Sequence, residues 1–314
     1  MKKVLKRMLL AVTAVVTVTV LGLVATTVVN AVATDVERGR IESYGEKVAV
    51  DGRKMNVLDT GEGPETIVLL PGSGTASPVL DFEPLTSDLA EDHRVIVVEP
   101  FGYGLSDGTD RPRTTENVVS EIHEALAALD VDEYVLMGHS VAGLYGIEFA
   151  ERYPDEVTAF VGIDTSVPEQ PGMDEELPVD AFSALKTLGI VRLVAAFSGD
   201  DYEAPTYSEQ AQEQIGMITN VYSLNPTYLD EMKRLPTNFQ NARGTTFPAD
   251  LPVLMFVEAD NAANSDWLGL HERQAAEIDD ATVIPMDGEH YLHHTHAQDI
   301  ASQFRTWEAE RGAP

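Results

Sequence analysis

Short, unbroken apolar runs constrain the fold of this chain more than any other feature. They fall at residues 66–70, 95–98, 134–137, 159–163 and 253–257, with a shorter one at 282–284. A strand with one wet face alternates apolar and polar residues, whereas an unbroken run needs cover on both faces, as in a parallel sheet. Helical spacing appears between the runs. Val118, Ile122, Leu126 and Leu129 share one face, with Thr114 or Thr115 placed to cap it, and Ile300, Phe304 and Trp307 repeat the spacing near the C-terminus. Strand and helix in alternation predict an α/β fold, a doubly wound and mostly parallel sheet with helices on both faces. Residues 48–58, split by Asp51-Gly52, predict a hairpin ahead of it.

The alternation stops between residues 166 and 248. Phe182, Leu185, Leu188, Ile190 and Leu193 form apolar groups without strand pairs, and Pro171, Pro178, Pro205, Pro226 and Pro236 punctuate the stretch. It reads as several helices broken at those prolines. Inserted after the sixth strand, they would form a lid over the carboxyl ends of the sheet, where open α/β sheets bind ligands. The expected layout is a core of residues 46–165 and 249–314, a helical lid at 166–248, a linker at 34–45, and a membrane anchor or signal peptide at 1–33.

Residues 8–33 hold no charge and follow Lys2, Lys3, Lys6 and Arg7. At 1.5 Å per residue such a helix crosses the roughly 30 Å hydrocarbon core. The basic flank stays in the cytoplasm, which places the rest outside. Ala31-Val32-Ala33 is also a cleavage signature, so secretion after a cut before Thr34 is the alternative.

The first 33 residues carry four of the 21 basic residues and none of the 52 acidic ones, so the rest is more acidic than the net charge of −31 conveys. Such a body repels phosphate backbones and excludes nucleic acid as a partner. The chain has no cysteine, which removes disulfides, a thiolate nucleophile and thiolate zinc sites.

Gly138-His139-Ser140-Val141-Ala142-Gly143 follows one apolar run and precedes a helical stretch. A serine lifted on a sharp strand-to-helix turn needs small neighbours, which Gly138 and Ala142 supply. Ser140 is the candidate nucleophile, with the Val141 N–H aimed at a developing oxyanion. His139 is read as structural.

These residues resemble the α/β-hydrolase superfamily, in its serine-nucleophile esterase, lipase and peptidase branch. The resemblance covers most of residues 46–311, weakly in the lid. Pro71-Gly72-Ser73-Gly74 sits where the family has its oxyanion loop, and Glu99-Pro100-Phe101-Gly102-Tyr103-Gly104-Leu105-Ser106-Asp107 resembles its Asp-x-x-Gly-x-Gly-x-Ser loop. Pro71, Glu99 and Ala142 depart from the usual His, Asp and Gly.

The resemblance implies the chain order Ser, acid, His. His290 in Gly288-Glu289-His290-Tyr291-Leu292-His293 takes the place of the base. Asp260, after the run at 253–257, is the expected acid. Asp164, after the preceding run, and Glu258 are the alternatives, because any carboxylate that reaches the imidazole can orient it. The second oxyanion donor is the Ser73 N–H. His293, His294 and His296 cluster, but the crowded spacing reads as satisfied or exposed histidines rather than a metal site. The expected chemistry is acyl transfer with no metal and no cofactor. The substrate is a small hydrophobic carboxylic ester, or alternatively an amide or small peptide. A non-catalytic ligand-binding sensor on the same fold is the rival class. The oligomeric state is left open.

Overall fold

A computed structural model describes residues 2–197, 202 and 206–312; Pro205, expected to break a helix, lies outside the described residues. The strands are β1 (Glu46–Val50), β2 (Arg53–Thr60), β3 (Thr66–Leu70), β4 (Arg94–Glu99), β5 (Tyr134–His139), β6 (Val157–Ile163), β7 (Val253–Glu258) and β8 (Ala281–Met286). The helices are α1 (Lys2–Arg38), α2 (Pro78–Asp81), α3 (Glu83–Leu89), α4 (Thr115–Ala128), α5 (Ala142–Arg152), α6 (Val179–Thr187), α7 (Ile190–Ala195), α8 (Glu209–Tyr222), α9 (Pro226–Ala242), α10 (Trp267–Ala275) and α11 (Leu292–Gly312). They divide into two units, one of Glu42–Leu177 with Asp201–Pro314, the other of Met1–Ile41 with Pro178–Asp200.

The larger unit is built on one eight-stranded sheet of order β1-β2-β4-β3-β5-β6-β7-β8. β1 and β2 form the expected hairpin and β2 runs antiparallel to β4; the other pairings are parallel. The unbroken runs explain themselves here. Val68, Leu70, Ile96, Val98 and Leu136 point to one side, against Val118, Ile122 and Leu126 of α4 and Phe149 of α5. Their neighbours Ile67, Leu69, Val95, Val97, Val135 and Met137 point to the other, against Leu85 and Leu89 of α3 and Ile300 and Phe304 of α11. Each such side chain contributes about 1.5–3 kcal/mol when buried, so both faces have to be covered. β8 lies at the edge, half-buried, and there tolerates Pro285. Thr114 caps α4 by accepting the Asn117 N–H.

The insertion follows β6, as expected, but two details differ. Pro236 does not break a helix; α9 runs through it. Proline removes one N–H and crowds one carbonyl. Asn225 caps this helix on the N–H groups of Thr227 and Tyr228, and its buried face of Thr227, Glu231, Met232, Leu235, Asn238 and Phe239 outweighs that cost. Nor is 166–248 one body: residues 166–177 and 201–248 belong to the larger unit, whereas 178–200 group with α1.

In the smaller unit α1 takes in residues 34–38 of the expected linker. It has no buried residue, and its most apolar window reaches a mean hydropathy of 2.5, enough by length and composition to cross a membrane. Arg192 of α7 donates to Asn30 Oδ1 at 3.0 Å, Thr34 Oγ1 at 3.0 Å and the Glu37 carboxylate at 2.6 and 2.7 Å.

Candidate active site

Ser140 sits between β5 and α5 with φ of 54°, a left-handed conformation that costs a non-glycine residue free energy. The surroundings hold it there. Its carbonyl accepts the N–H of Ser166 at 2.7 Å and of Gly143 at 3.0 Å. Gly138 is required rather than merely permitted, because a Cβ there would lie 2.6 Å from that of Ala142. The Cβ of Ala142 thus fills the space that Gly138 leaves open. Val141 immediately precedes α5, so its N–H belongs to the first turn, which the helix itself leaves unpaired.

His290 lies in the loop between β8 and α11. Its Nε2 is 3.0 Å from Ser140 Oγ and its Nδ1 is 2.6 Å from Asp164 Oδ2. A carboxylate only accepts, so Nδ1 carries the hydrogen and Nε2 is left to accept the serine hydroxyl. The structure thus brings Ser140 and His290 together, 150 positions apart in sequence.

The carboxylate at the imidazole belongs to Asp164, not to Asp260. Asp260 is exposed in the turn after β7. Asp164, fully buried, follows β6 directly, and its backbone N–H donates to the Phe256 carbonyl at 2.7 Å. Its Oδ1 accepts the Glu258 N–H at 2.8 Å and the Trp267 indole N–H at 2.6 Å, which leaves Oδ2 for His290. The end of β7 is thus occupied in holding a carboxylate from its neighbour. Glu258 is turned to Asn261, whose amide donates to it at 2.6 Å, and burial and the charge of Asp164 push its carboxyl up.

Ser73 and Val141 line one pocket of about 460 Å3 with Ser140 and His290. Met173, Leu235, Phe239 and Trp267 give it apolar walls, with Gln170, Asn261 and Asn264 among its polar groups. The Ser73 side chain faces away to a carboxylate of α9, donating to Glu231 at 3.0 Å.

The sequence did not give the partners of His139 or of His293 and His294, the last two read there as satisfied or exposed. His139, read there as merely structural, is fully buried and donates Nε2–H to the His290 carbonyl at 3.0 Å, fixing the backbone that carries the imidazole. Burial, with His293 and His290 close by, pushes its pKa well down, so it stays neutral. His293 and His294 are buried donors to Asp81 at 2.8 and 2.9 Å, and Tyr202 donates to the same carboxylate at 2.9 Å. The ligand-type atoms of Asp81, His293 and His294 lie within 4.8 Å of one another. The Nε2 atoms of both imidazoles are spent on hydrogen bonds that tie α2 to α11. Burial alone would raise the Asp81 carboxyl; the two imidazoles outweigh it and hold it well below the usual range. His296 lies apart from this knot, beside Asp299.

The fold defines a class that comparison with known proteins also gives. A sequence profile of the alpha/beta hydrolase fold matches residues 65–297, and the chain belongs to that family. It is 26% identical over 271 residues to the uncharacterized protein YbdG of Bacillus subtilis (strain 168), covering 82% of this chain and 83% of that protein. A thermophilic esterase from Thermogutta terrifontis superposes with a TM-score of 0.64 at 18% identity, over 85% of this chain and 99% of the esterase. The enol-lactonase from Burkholderia xenovorans LB400 gives 0.62 at 19%, over 84% of this chain and all of that one. At these identities the two structures share the fold.

Proposed function

We propose that the protein is a serine hydrolase of uncharged carboxylic esters. The observation that carries the reading is the unbroken chain Ser140 Oγ, His290 Nε2, His290 Nδ1, Asp164 Oδ2, with contacts of 3.0 and 2.6 Å at the rim of a pocket. Ser140 attacks the carbonyl as His290 takes its proton. Asp164 holds the tautomer and stabilises the imidazolium that forms. The N–H groups of Val141 and Ser73 receive the oxyanion, a contribution of about 10²–10³ in kcat per donor. His290 then returns its proton to the leaving alcohol and activates the water that releases the acyl group. None of these steps calls on a cofactor.

The pocket favours a neutral substrate. Among the described residues, those lining it include no Arg or Lys, so an anionic group finds no counter-charge there. The acidic body adds a field of the same sign. The names of the esterase and the enol-lactonase with this fold agree with the ester class. Neutral p-nitrophenyl acetate, butyrate and octanoate are expected to give kcat/KM at least roughly 10-fold above the p-nitrophenyl hemisuccinate anion, as the loss of one ion's solvation without a partner requires. A preference for the anion contradicts the reading.

We further read α1 as a retained anchor with its basic end in the cytoplasm and the hydrolase outside. Asn30, Thr34 and Glu37, all engaged by Arg192, straddle the Ala31-Val32-Ala33 signature, so a cut there would remove part of a formed contact. N-terminal sequencing of protein from membranes should find residues 1–33 attached. A soluble product beginning at Thr34 would refute this.

A further inference from the structure

Glu231 lies in α9, 1% exposed and outside the Ser140–His290–Asp164 chain. A buried carboxylate is costly to keep, and a helix face that packs against the core has cheaper residues available. Its two side-chain hydrogen bonds among the described residues run to one place. Ser73 Oγ donates to its Oε1 at 3.0 Å, and the Tyr103 hydroxyl donates to the same oxygen at 2.6 Å. The Tyr103 hydroxyl in turn accepts the Gly74 N–H at 3.3 Å. One carboxylate oxygen therefore holds two consecutive residues of the 71–74 loop, Ser73 directly and Gly74 through a single hydroxyl. The Tyr228 hydroxyl closes the space beside them: a Cβ on Gly74 would lie 2.6 Å from it. Burial pushes the Glu231 carboxyl up, while the hydrogen bonds from Tyr103 and Ser73 and the charge of Arg113 oppose that rise.

Oxyanion donors work only when held in place before the charge appears. Ser73 stands between two glycines, the residues least able to fix a backbone on their own. We propose that Glu231 is a positioning residue that aims the Ser73 N–H at the oxyanion, so that helix α9 of the insertion sets the strength of the oxyanion hole. The proposal rests on the reading of Ser73 as a donor in a serine hydrolase. Glu231 does not touch substrate in this account; it acts through the loop.

The test uses the full-length chain and its variants Glu231→Ala, Glu231→Gln and Ser73→Ala. They are compared by kcat and KM on a neutral p-nitrophenyl ester and by affinity for an arylboronic acid, which forms a tetrahedral adduct on the serine. E231A is expected to lower kcat by about 10- to 100-fold, with KM within about two-fold, and to weaken the boronate by a similar factor, because only the tetrahedral state uses the N–H. E231Q, whose amide oxygen accepts both hydroxyls, is expected to recover most of that loss. S73A, which cuts one of the two links, is expected to lower kcat by roughly 3- to 10-fold, at the modest end of an oxyanion-donor effect. A folded E231A with wild-type kcat overturns the proposal, as does a folded E231Q no better than E231A. If E231A does not fold, S73A decides: wild-type kcat there overturns it. A wild-type protein that hydrolyses no ester and binds no boronate instead sinks the hydrolase reading itself, so the two failures are distinguishable.

Discussion

Asp164→Asn is expected to cut kcat on neutral esters on the order of 10⁴-fold with little change in stability. The size follows from the donors around the carboxylate. The Glu258 N–H and the Trp267 indole N–H both point at Oδ1 and do not move with the mutation. An asparagine there must place its oxygen against those two donors, which turns its NH2 toward His290 Nδ1. Two donors cannot face each other, so His290 shifts its hydrogen to Nε2 and can no longer accept the proton of Ser140. The fold should survive, because the amide still satisfies both buried N–H groups. Asp260→Asn is the companion. Asp260 is exposed in a turn, so its kcat should stay within about two-fold of wild type, as for an ordinary surface substitution. Steady-state kinetics with circular dichroism checks both variants. A large loss in D260N and none in D164N would return the acid to its position in the usual family order.

Ser140→Ala is expected to lower kcat on the order of 10⁶-fold, leaving only the residual rate that oxyanion donors and binding give without a nucleophile. Removing Oγ deletes the contact with His290 at 3.0 Å. Alanine tolerates a φ of 54° no worse than serine, so the turn should keep its shape. KM for the ester should change little, since the pocket walls are untouched. Stopped-flow measurement of p-nitrophenol release should show a burst in wild type and none in S140A. Equal rates in the two would remove Ser140 from the mechanism.

The sheet was legible because buried parallel strands need apolar residues on both faces, and such runs are hard to disguise. The nucleophile turn was legible because Gly138, Ser140 and Ala142 sit in a spacing that sterics impose. The acid was not. Asp164 and Asp260 each follow an apolar run, and the choice depends on which strand end faces the imidazole. The pairing of Ile163 with Phe256 sets Asp164 beside the Glu258 N–H, whereas Asp260 lies two residues beyond the strand. That relation exists only after the sheet forms. A buried tryptophan needing an acceptor, Trp267, was the remaining clue, and it acts across 103 positions. Glu231 was hidden for a related reason. An acid among Tyr228, Met232 and Leu235 gives no sign of burial until Ser73 and Tyr103, far off in sequence, close over it. Pro236 misled because its cost is local and its compensation is tertiary.

The most direct measurement is the site of covalent capture by a fluorophosphonate, read by intact mass and peptide mapping of the folded protein. One adduct per chain is expected, on the peptide that carries Ser140, abolished in S140A and slowed strongly in D164N. A folded protein that hydrolyses esters yet carries the adduct on another residue, or takes none, would contradict it.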